Sequence, residues 1–294
     1  MSNKFCGKDV IIMSCSNCNT KCKHCYISYD SNFDGKKLFG LASGFMVEYN
    51  TSINGSELLI HPEYFESIQL VGQTRIMTNG IEIVRNPQIL VELKKIGVEI
   101  ISISYHMGIH DEISYVKEDL VFKVIKLAKQ HSMKIRIMVT IDRDNYLFVE
   151  DMCKRAIELG VNSIRFTNYL MIGNALEMPD KTLNKEQIQI FLKLVQEQRK
   201  KYPKDFLEIK RCGTFGKQDN IEKNNFICPA GKNLVAITPD LKVYPCNFLS
   251  KVGFEIGKVE NGEIKIYKEI KHDGCKCIAD QIYNRNHKFS QYFN

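Results

Sequence analysis

Three cysteines, Cys18, Cys22 and Cys25, fall within the run CNTKCKHC, separated by three and then two residues. A structural zinc site built from thiolates takes four protein ligands. Here the local set stops at three. Three thiolates around a cubane leave one iron without a protein ligand and open to another molecule. That is the arrangement of a catalytic iron–sulfur site rather than a structural one. The first candidate strand, 9–14, ends just before this loop. In α/β folds the loops beyond the carboxyl ends of strands carry the active site.

The chain of 294 residues holds eleven cysteines, more than an ordinary reduced protein of this size uses. Five lie in the first 25 residues, Cys153 stands alone in the middle, and five lie between 212 and 277. Two separated metal sites account for that distribution better than a disulfide scaffold, which suits short exported chains. No apolar run is long enough to span a bilayer and MSNKFCGKD has no secretory character, so a cytoplasmic protein is expected. The formal charge of +7 is spread over helical lysines without an arginine-rich stripe. It reads as solvated surface rather than a nucleic-acid footprint, and nucleic acid is not expected as a partner.

Strands and helices alternate through the first two-thirds. Candidate strands are 9–14, 50–54, 74–79, 98–104, 133–141 and 162–169, mostly β-branched and apolar, as in a sheet covered on both faces. Helical patterns occupy 86–97, 115–131, 146–160 and 182–202. In 115–131, Val116, Leu120, Val124 and Leu127 share a face with Val121 beside them. Asn184 and Gln187 predict a capping box at the start of the last helix. The pattern predicts an α/β fold with a parallel sheet, curved as a partial (β/α)6 barrel or doubly wound; the partial barrel is the architecture expected. After Pro203 the texture becomes short and cysteine-rich. We place a boundary there, giving a barrel domain over 1–203 and a small auxiliary domain over 204–294 that needs a metal to hold it. Its hairpin, 234–246, turns at Pro239–Asp240.

The run CNTKCKHCY resembles the signature of radical S-adenosylmethionine (radical SAM) enzymes. The resemblance extends to Asn54-Gly55-Ser56-Glu57, in the place of the family's GGEP-like segment, which binds the cofactor's amino group. Asn54 and Ser56 depart from the usual glycines, and Leu58 stands where proline is common. An acceptor-only carboxylate such as Glu57 is suited to an ammonium. The same likeness assigns TNG at 78–80 to the end of the third strand. It also places Ser102 and Ser104 toward the cofactor. His106 stands near the family's usual aspartate, followed by His110-Asp111. His24 or Tyr26 is expected beside the adenine. Arg136 and Arg165, inside apolar strands, need partners: either a cofactor carboxylate or ribose, or an internal ion pair. MIGNAL at 171–176 resembles the glycine segment near the adenosyl group.

The segment from Cys228 to Cys246 resembles the opening of a SPASM or shorter twitch domain. Leu241 replaces that pattern's glycine. The ligand candidates Cys212, Cys228, Cys246, Cys275 and Cys277 suffice for one auxiliary [4Fe–4S] cluster. The resemblance implies Cys228, Cys246, Cys275 and Cys277 as its ligands. Cys212 is then either an outer ligand or a thiol that gives up a hydrogen atom. Cys6, Cys15 and Cys153 read as incidental.

The resemblance implies reductive cleavage of S-adenosylmethionine at a catalytic [4Fe–4S] cluster. A 5′-deoxyadenosyl radical then takes a hydrogen from the substrate. Electrons would come from a flavodoxin- or ferredoxin-like donor. The substrate would be a peptide or a small biosynthetic intermediate, oxidised or cross-linked with help from the auxiliary cluster. The alternative is epimerisation with Cys212 as hydrogen donor. A zinc-binding module for nucleic acid or protein is the alternative of another class. No extension for gripping a leader peptide is visible before residue 10, which weakens a leader-dependent substrate.

Overall fold

A computed structural model describes residues 3–209, 227–272 and 276–293. The strands are β1 (Asn3–Lys4), β2 (Asp9–Met13), β3 (Asn50–Asn54), β4 (Arg75–Thr78), β5 (Ile100–Ser104) and β6 (Lys134–Ile141). They continue with β7 (Ser163–Asn168), β8 (Leu207–Ile209), β9 (Leu234–Ile237), β10 (Lys242–Tyr244), β11 (Gly257–Glu260) and β12 (Glu263–Ile266). The helices are α1 (Gly35–Phe45), α2 (Phe65–Leu70), α3 (Ile81–Arg85), α4 (Gln88–Lys95) and α5 (His110–Ser114). They continue with α6 (Glu118–Gln130), α7 (Val149–Glu158), α8 (Lys185–Arg199) and α9 (Ile278–Arg285). Among the described residues no helix is long and apolar enough to cross a membrane.

The predicted parallel α/β barrel is present, with all six expected strands as β2–β7. It is built from two hydrogen-bonded sheets. One orders β4-β5-β6-β7-β8, all parallel; β8 is a strand that the sequence reading missed. The other orders β1-β12-β11-β10-β9-β2-β3. In it β2 pairs in parallel with β3 on one side and with β9 on the other, Asp9 opposite both Asn50 and Leu234. The C-terminal hairpin thus continues the sheet that begins the barrel, while β8 extends the other sheet.

A side chain bridges the gap between β3 and β4. The Gln73 carboxamide accepts from the Ile53 N–H at 2.8 Å, and donates to the Ile53 carbonyl at 3.0 Å and the Arg75 carbonyl at 3.1 Å. It serves as a surrogate peptide group where no strand ladder runs, satisfying backbone groups that burial would otherwise leave unpaired.

Local signals explain the helices. Asn184 and Gln187 form the predicted capping box of α8. Asp34 caps α1 through the Lys37 N–H at 2.9 Å. The buried stripe of α6 is Val121, Val124, Ile125 and Ala128. It is rotated from the predicted face, and Leu120 and Leu127 pack at its margin. In the hairpin, the Leu241 N–H closes a turn onto the Thr238 carbonyl at 2.8 Å. Leu241 itself lies at φ +62. A type I turn followed by a left-handed residue is a standard hairpin closure, which is why glycine suits that position.

Candidate active site

The end of β2 is fastened to the end of β3. Both the N–H and the hydroxyl of Ser14 donate to the Asn54 carbonyl, at 2.6 and 2.9 Å. Gly55 lies so close beneath that a Cβ would stand 2.7 Å from Cys15 Sγ and 3.0 Å from Ser14 Oγ. Cys15, which reads as incidental in sequence, is therefore a buried packing partner of the Asn54–Glu57 segment. Glu57 is buried. Its Oε1 accepts from the Thr78 hydroxyl at 2.8 Å and the Leu59 N–H at 3.2 Å, and its Oε2 accepts from the Asn79 N–H at 2.8 Å. Burial pushes its carboxyl up to about 7, against the pull of those three donors. Three of roughly four lone-pair positions are used, leaving room for one further donor. The carboxylate staples the β3 and β4 loops together, a role invisible in its sequence context.

The cysteine loop is held from several sides. The Thr20 hydroxyl lies 3.3 Å from Cys18 Sγ and 3.4 Å from Cys22 Sγ, drawing those sulfurs onto one point. The Asn79 amide reaches Cys18 Sγ at 3.7 Å and Asn19 Oδ1 at 2.7 Å. Cys22 Sγ donates to the Ser114 carbonyl at 3.4 Å, and the Lys23 N–H to the Ile113 carbonyl at 2.8 Å, docking the loop on α5. From beyond β7, the Asn174 side chain donates to the Cys22 carbonyl at 3.0 Å and its N–H to the Cys25 carbonyl at 3.0 Å. MIGNAL therefore lies against the cysteine loop.

Burial pushes the Cys22 thiol up to about 11 and raises Cys25 as well, and the other thiols of the loop add to both. The three form no disulfide and stand together at the open strand ends. Among the described residues no three His, Cys, Asp or Glu side chains close on a point as a single ion requires. Three thiols gathered on one loop, two of them on the Thr20 hydroxyl, suit a cluster that keeps one iron open. Cys18, Cys22 and Cys25 thus fit the group that their spacing implies.

The other candidates are placed as follows. The rings of His24 and His106 meet edge to face at 4.6 Å, and those of His106 and His110 stack at 5.7 Å. Burial, then the charge of His110, lowers His24 to about 4, so it stays neutral. Both ring nitrogens of His106 and Nδ1 of His24 are buried without a protein partner. Tyr26 packs edge to face on Phe248 at 4.9 Å, and its hydroxyl accepts from the Asn247 amide at 3.2 Å. It joins the cysteine loop to the neighbours of Cys246. Ser102 and Ser104 lie on β5 opposite Arg136 and Met138. Arg136 is engaged by Glu208 and by Ser163 Oγ at 3.1 Å, and Arg165 Nε donates to Glu208 Oε2 at 2.8 Å. Of the two partners open to these arginines in sequence, the structure supplies the internal carboxylate.

In the C-terminal region Cys228, Cys246 and Cys277 are buried and near one another. The contact with Cys277 draws the Cys228 thiol down and pushes Cys277 well up. Cys212 and Cys275 lie outside the described residues.

No family model matches the chain. Over 261 residues it is 23% identical to the antilisterial bacteriocin subtilosin biosynthesis protein AlbA of Bacillus subtilis (strain 168), covering 82% of this chain and 55% of that protein. The chain thus spans about half the length of that curated relative. Its fold resembles that of Streptococcus suis SuiB bound to the precursor peptide SuiA. The TM-score is 0.70 at 16% identity, over 96% of this chain and 65% of that one. It also resembles anSMEcpe with bound AdoMet and the Cp18Cys peptide, with a TM-score of 0.64 at 16% identity over 87% and 78% of the two chains. Fold and cysteine loop together resemble those of radical SAM proteins with a SPASM- or twitch-type C-terminal region. The cofactors that go with this class are S-adenosylmethionine, a catalytic [4Fe–4S] cluster and auxiliary iron–sulfur.

Proposed function

We propose that the chain is a radical SAM enzyme acting on a peptide, with an oxidative or cross-linking outcome. The observation that carries this is the convergence of the β3, β4, β5 and β7 loops on the loop bearing Cys18, Cys22 and Cys25. When bound, the cluster and S-adenosylmethionine supply hydrogen-atom abstraction from an unactivated carbon. The protein's part is to bind, orient and exclude water. Asn79, Thr20, Ser114 and Asn174 fix the thiols, while Asn54–Glu57 offers the last acceptor position of a buried carboxylate to an ammonium. Gly173 allows the β7 loop to approach closely.

The peptide assignment is supported by the peptides bound to SuiB and anSMEcpe in the similar structures. Residues 1–203 would hold S-adenosylmethionine and residues 204–294 the auxiliary cluster, apart from β8, which belongs to the barrel sheet. The gathering of Cys228, Cys246 and Cys277 beside a tyrosine of the catalytic loop favours an electron acceptor, hence oxidation or cross-linking over epimerisation.

The test is anaerobic iron and sulfide counting with an assay of 5′-deoxyadenosine. Wild type is expected to hold about eight irons and Cys246→Ala about four. Cys18→Ala is expected to retain the auxiliary iron and lose cofactor cleavage. Tight zinc with no iron-linked absorption would overturn the reading. Solvent deuterium entering an otherwise unchanged substrate would replace oxidation with epimerisation.

A further inference from the structure

Three arginines share the barrel interior with one carboxylate. Arg75 opens β4, Arg136 and Arg165 sit in the lower halves of β6 and β7, and Glu208 is the middle residue of β8. Their neighbours Ile135, Ile137, Ile164, Phe166, Leu207 and Ile209 are buried in the hydrophobic core. Alternation along each strand then turns the charged residues to the opposite, interior face. Arg136 and Arg165 both engage Glu208, using one oxygen each. Arg75 feels the same carboxylate and the repulsion of Arg165. Among the described residues, Glu208 is the one carboxylate acting on Arg75 and Arg136, so the cluster is short of negative charge.

The deficit shows in unmet hydrogen bonds. Arg136, 7% exposed, has its Nη1 buried without a partner, as is the Nε of Arg75. Ser102, opposite Arg136 in the β5–β6 register and 1% exposed, has a buried hydroxyl without a partner. Burial, then the neighbouring Arg165, lowers Arg136 to about 10. An uncompensated buried cation is costly, and guanidinium forks match carboxylates in geometry as well as charge. The cluster is also reachable, because the side chains of Arg165 and Glu208 are 26% and 28% exposed.

A cofactor carboxylate held at the cysteine loop would lie at a different depth from this cluster. Asn79, which touches Cys18, is four residues beyond Arg75, a strand distance of roughly 13 Å. A ligand anchored at the cysteine loop by its amino and carboxylate groups leaves both at the rim. We propose that Arg75, Arg136, Arg165 and Ser102 form a carboxylate-binding subsite for the substrate. An acidic side chain or the chain terminus of a peptide would enter there, setting how far the substrate descends below the rim. This rests on the proposed function, a radical SAM enzyme that acts on a peptide, with the added inference that the peptide enters the barrel interior.

The test is calorimetric titration of the reconstituted holoenzyme with S-adenosylmethionine present, using three blocked amino acids. N-acetyl-glutamyl-N-methylamide carries a side-chain carboxylate and N-acetylglycine a terminal one. N-acetyl-glutaminyl-N-methylamide is the neutral control. At least one carboxylate probe is expected to bind about tenfold or more tightly than the control, and the better probe identifies the source. Glu208→Gln, which removes the internal competitor, is expected to tighten that probe several-fold. Arg75→Gln, with Arg75→Lys as a milder variant, is expected to weaken it. Equal binding of charged and neutral probes, or affinities indifferent to these variants, would overturn the subsite. Production of 5′-deoxyadenosine by the same preparation tests the functional reading separately.

Discussion

The carbonyl oxygen of Cys25 lies 2.3 Å from the point where a Cβ on residue 173 would stand, and Gly173 adopts φ +58. Two independent constraints, backbone conformation and close approach, thus fall on one glycine at the cysteine loop. Gly173→Ala is expected to cost roughly 1–3 kcal/mol for the conformation alone. The obstructing atom is backbone, so the loop itself must move. Iron content after anaerobic reconstitution should fall together with the melting temperature. Full iron loading with an unchanged melting temperature would show that the contact is not needed.

Glu57 gives a pH dependence. Its carboxyl sits at about 7 when the site is empty, because it is buried. An ammonium partner favours the ionised form. Affinity for S-adenosylmethionine is therefore expected to rise between pH 6 and 7.5. In Glu57→Gln the affinity should be about tenfold weaker or more, without that rise, and iron content should be retained. Equilibrium binding at several pH values checks this.

Asp142 gives a pH dependence of stability. It is buried after β6 and its carboxyl is pushed up to about 6, burial outweighing the Asp144 N–H that it accepts at 2.9 Å. In the unfolded chain an aspartate titrates near 3.9. Between these values the folded state binds more protons, so stability is expected to fall as pH rises from 4 to 6. The loss is up to about 3 kcal/mol at neutral pH. Asp142→Asn should flatten this part of the profile in urea melts.

Gln73 gives a stability test away from the site. Gln73→Leu removes the partner of both backbone groups of Ile53, a residue with no exposure. The expected cost is roughly 2–4 kcal/mol. Gln73→Glu, which keeps an acceptor for the Ile53 N–H but loses the donor, should fall between. Denaturant midpoints order the three proteins.

The central strands were legible because their β-branched runs are bounded by turn residues, and the α8 cap because Asn184 and Gln187 stand at the required spacing. The cysteine loop was legible from spacing alone. What the sequence concealed depends on distant partners. β8 is only three residues long and follows a proline, so its pairing with β7 left no local pattern. The pairing of β2 with β9 joins segments more than two hundred residues apart. The α6 stripe differed from the predicted face because helix packing, not periodicity alone, selects which apolar residues turn inward. Glu57 stood out in the sequence as a candidate, but the three donors that occupy it come from the backbone or from Thr78, and no motif encodes them. Arg136 awaited Glu208, seventy-two positions later.

Because β9 is zipped along β2, the strand leading into the first cysteine loop and the hairpin leading to Cys246 form one continuous fabric. A chain cut at residue 203 would lose more than a metal-bearing appendage. It would bare a row of unmatched peptide groups on the very strand that leads into the cysteine loop, inviting edge-to-edge self-association. Separate expression of the two halves should therefore yield insoluble material, with solubility returning when both are made together.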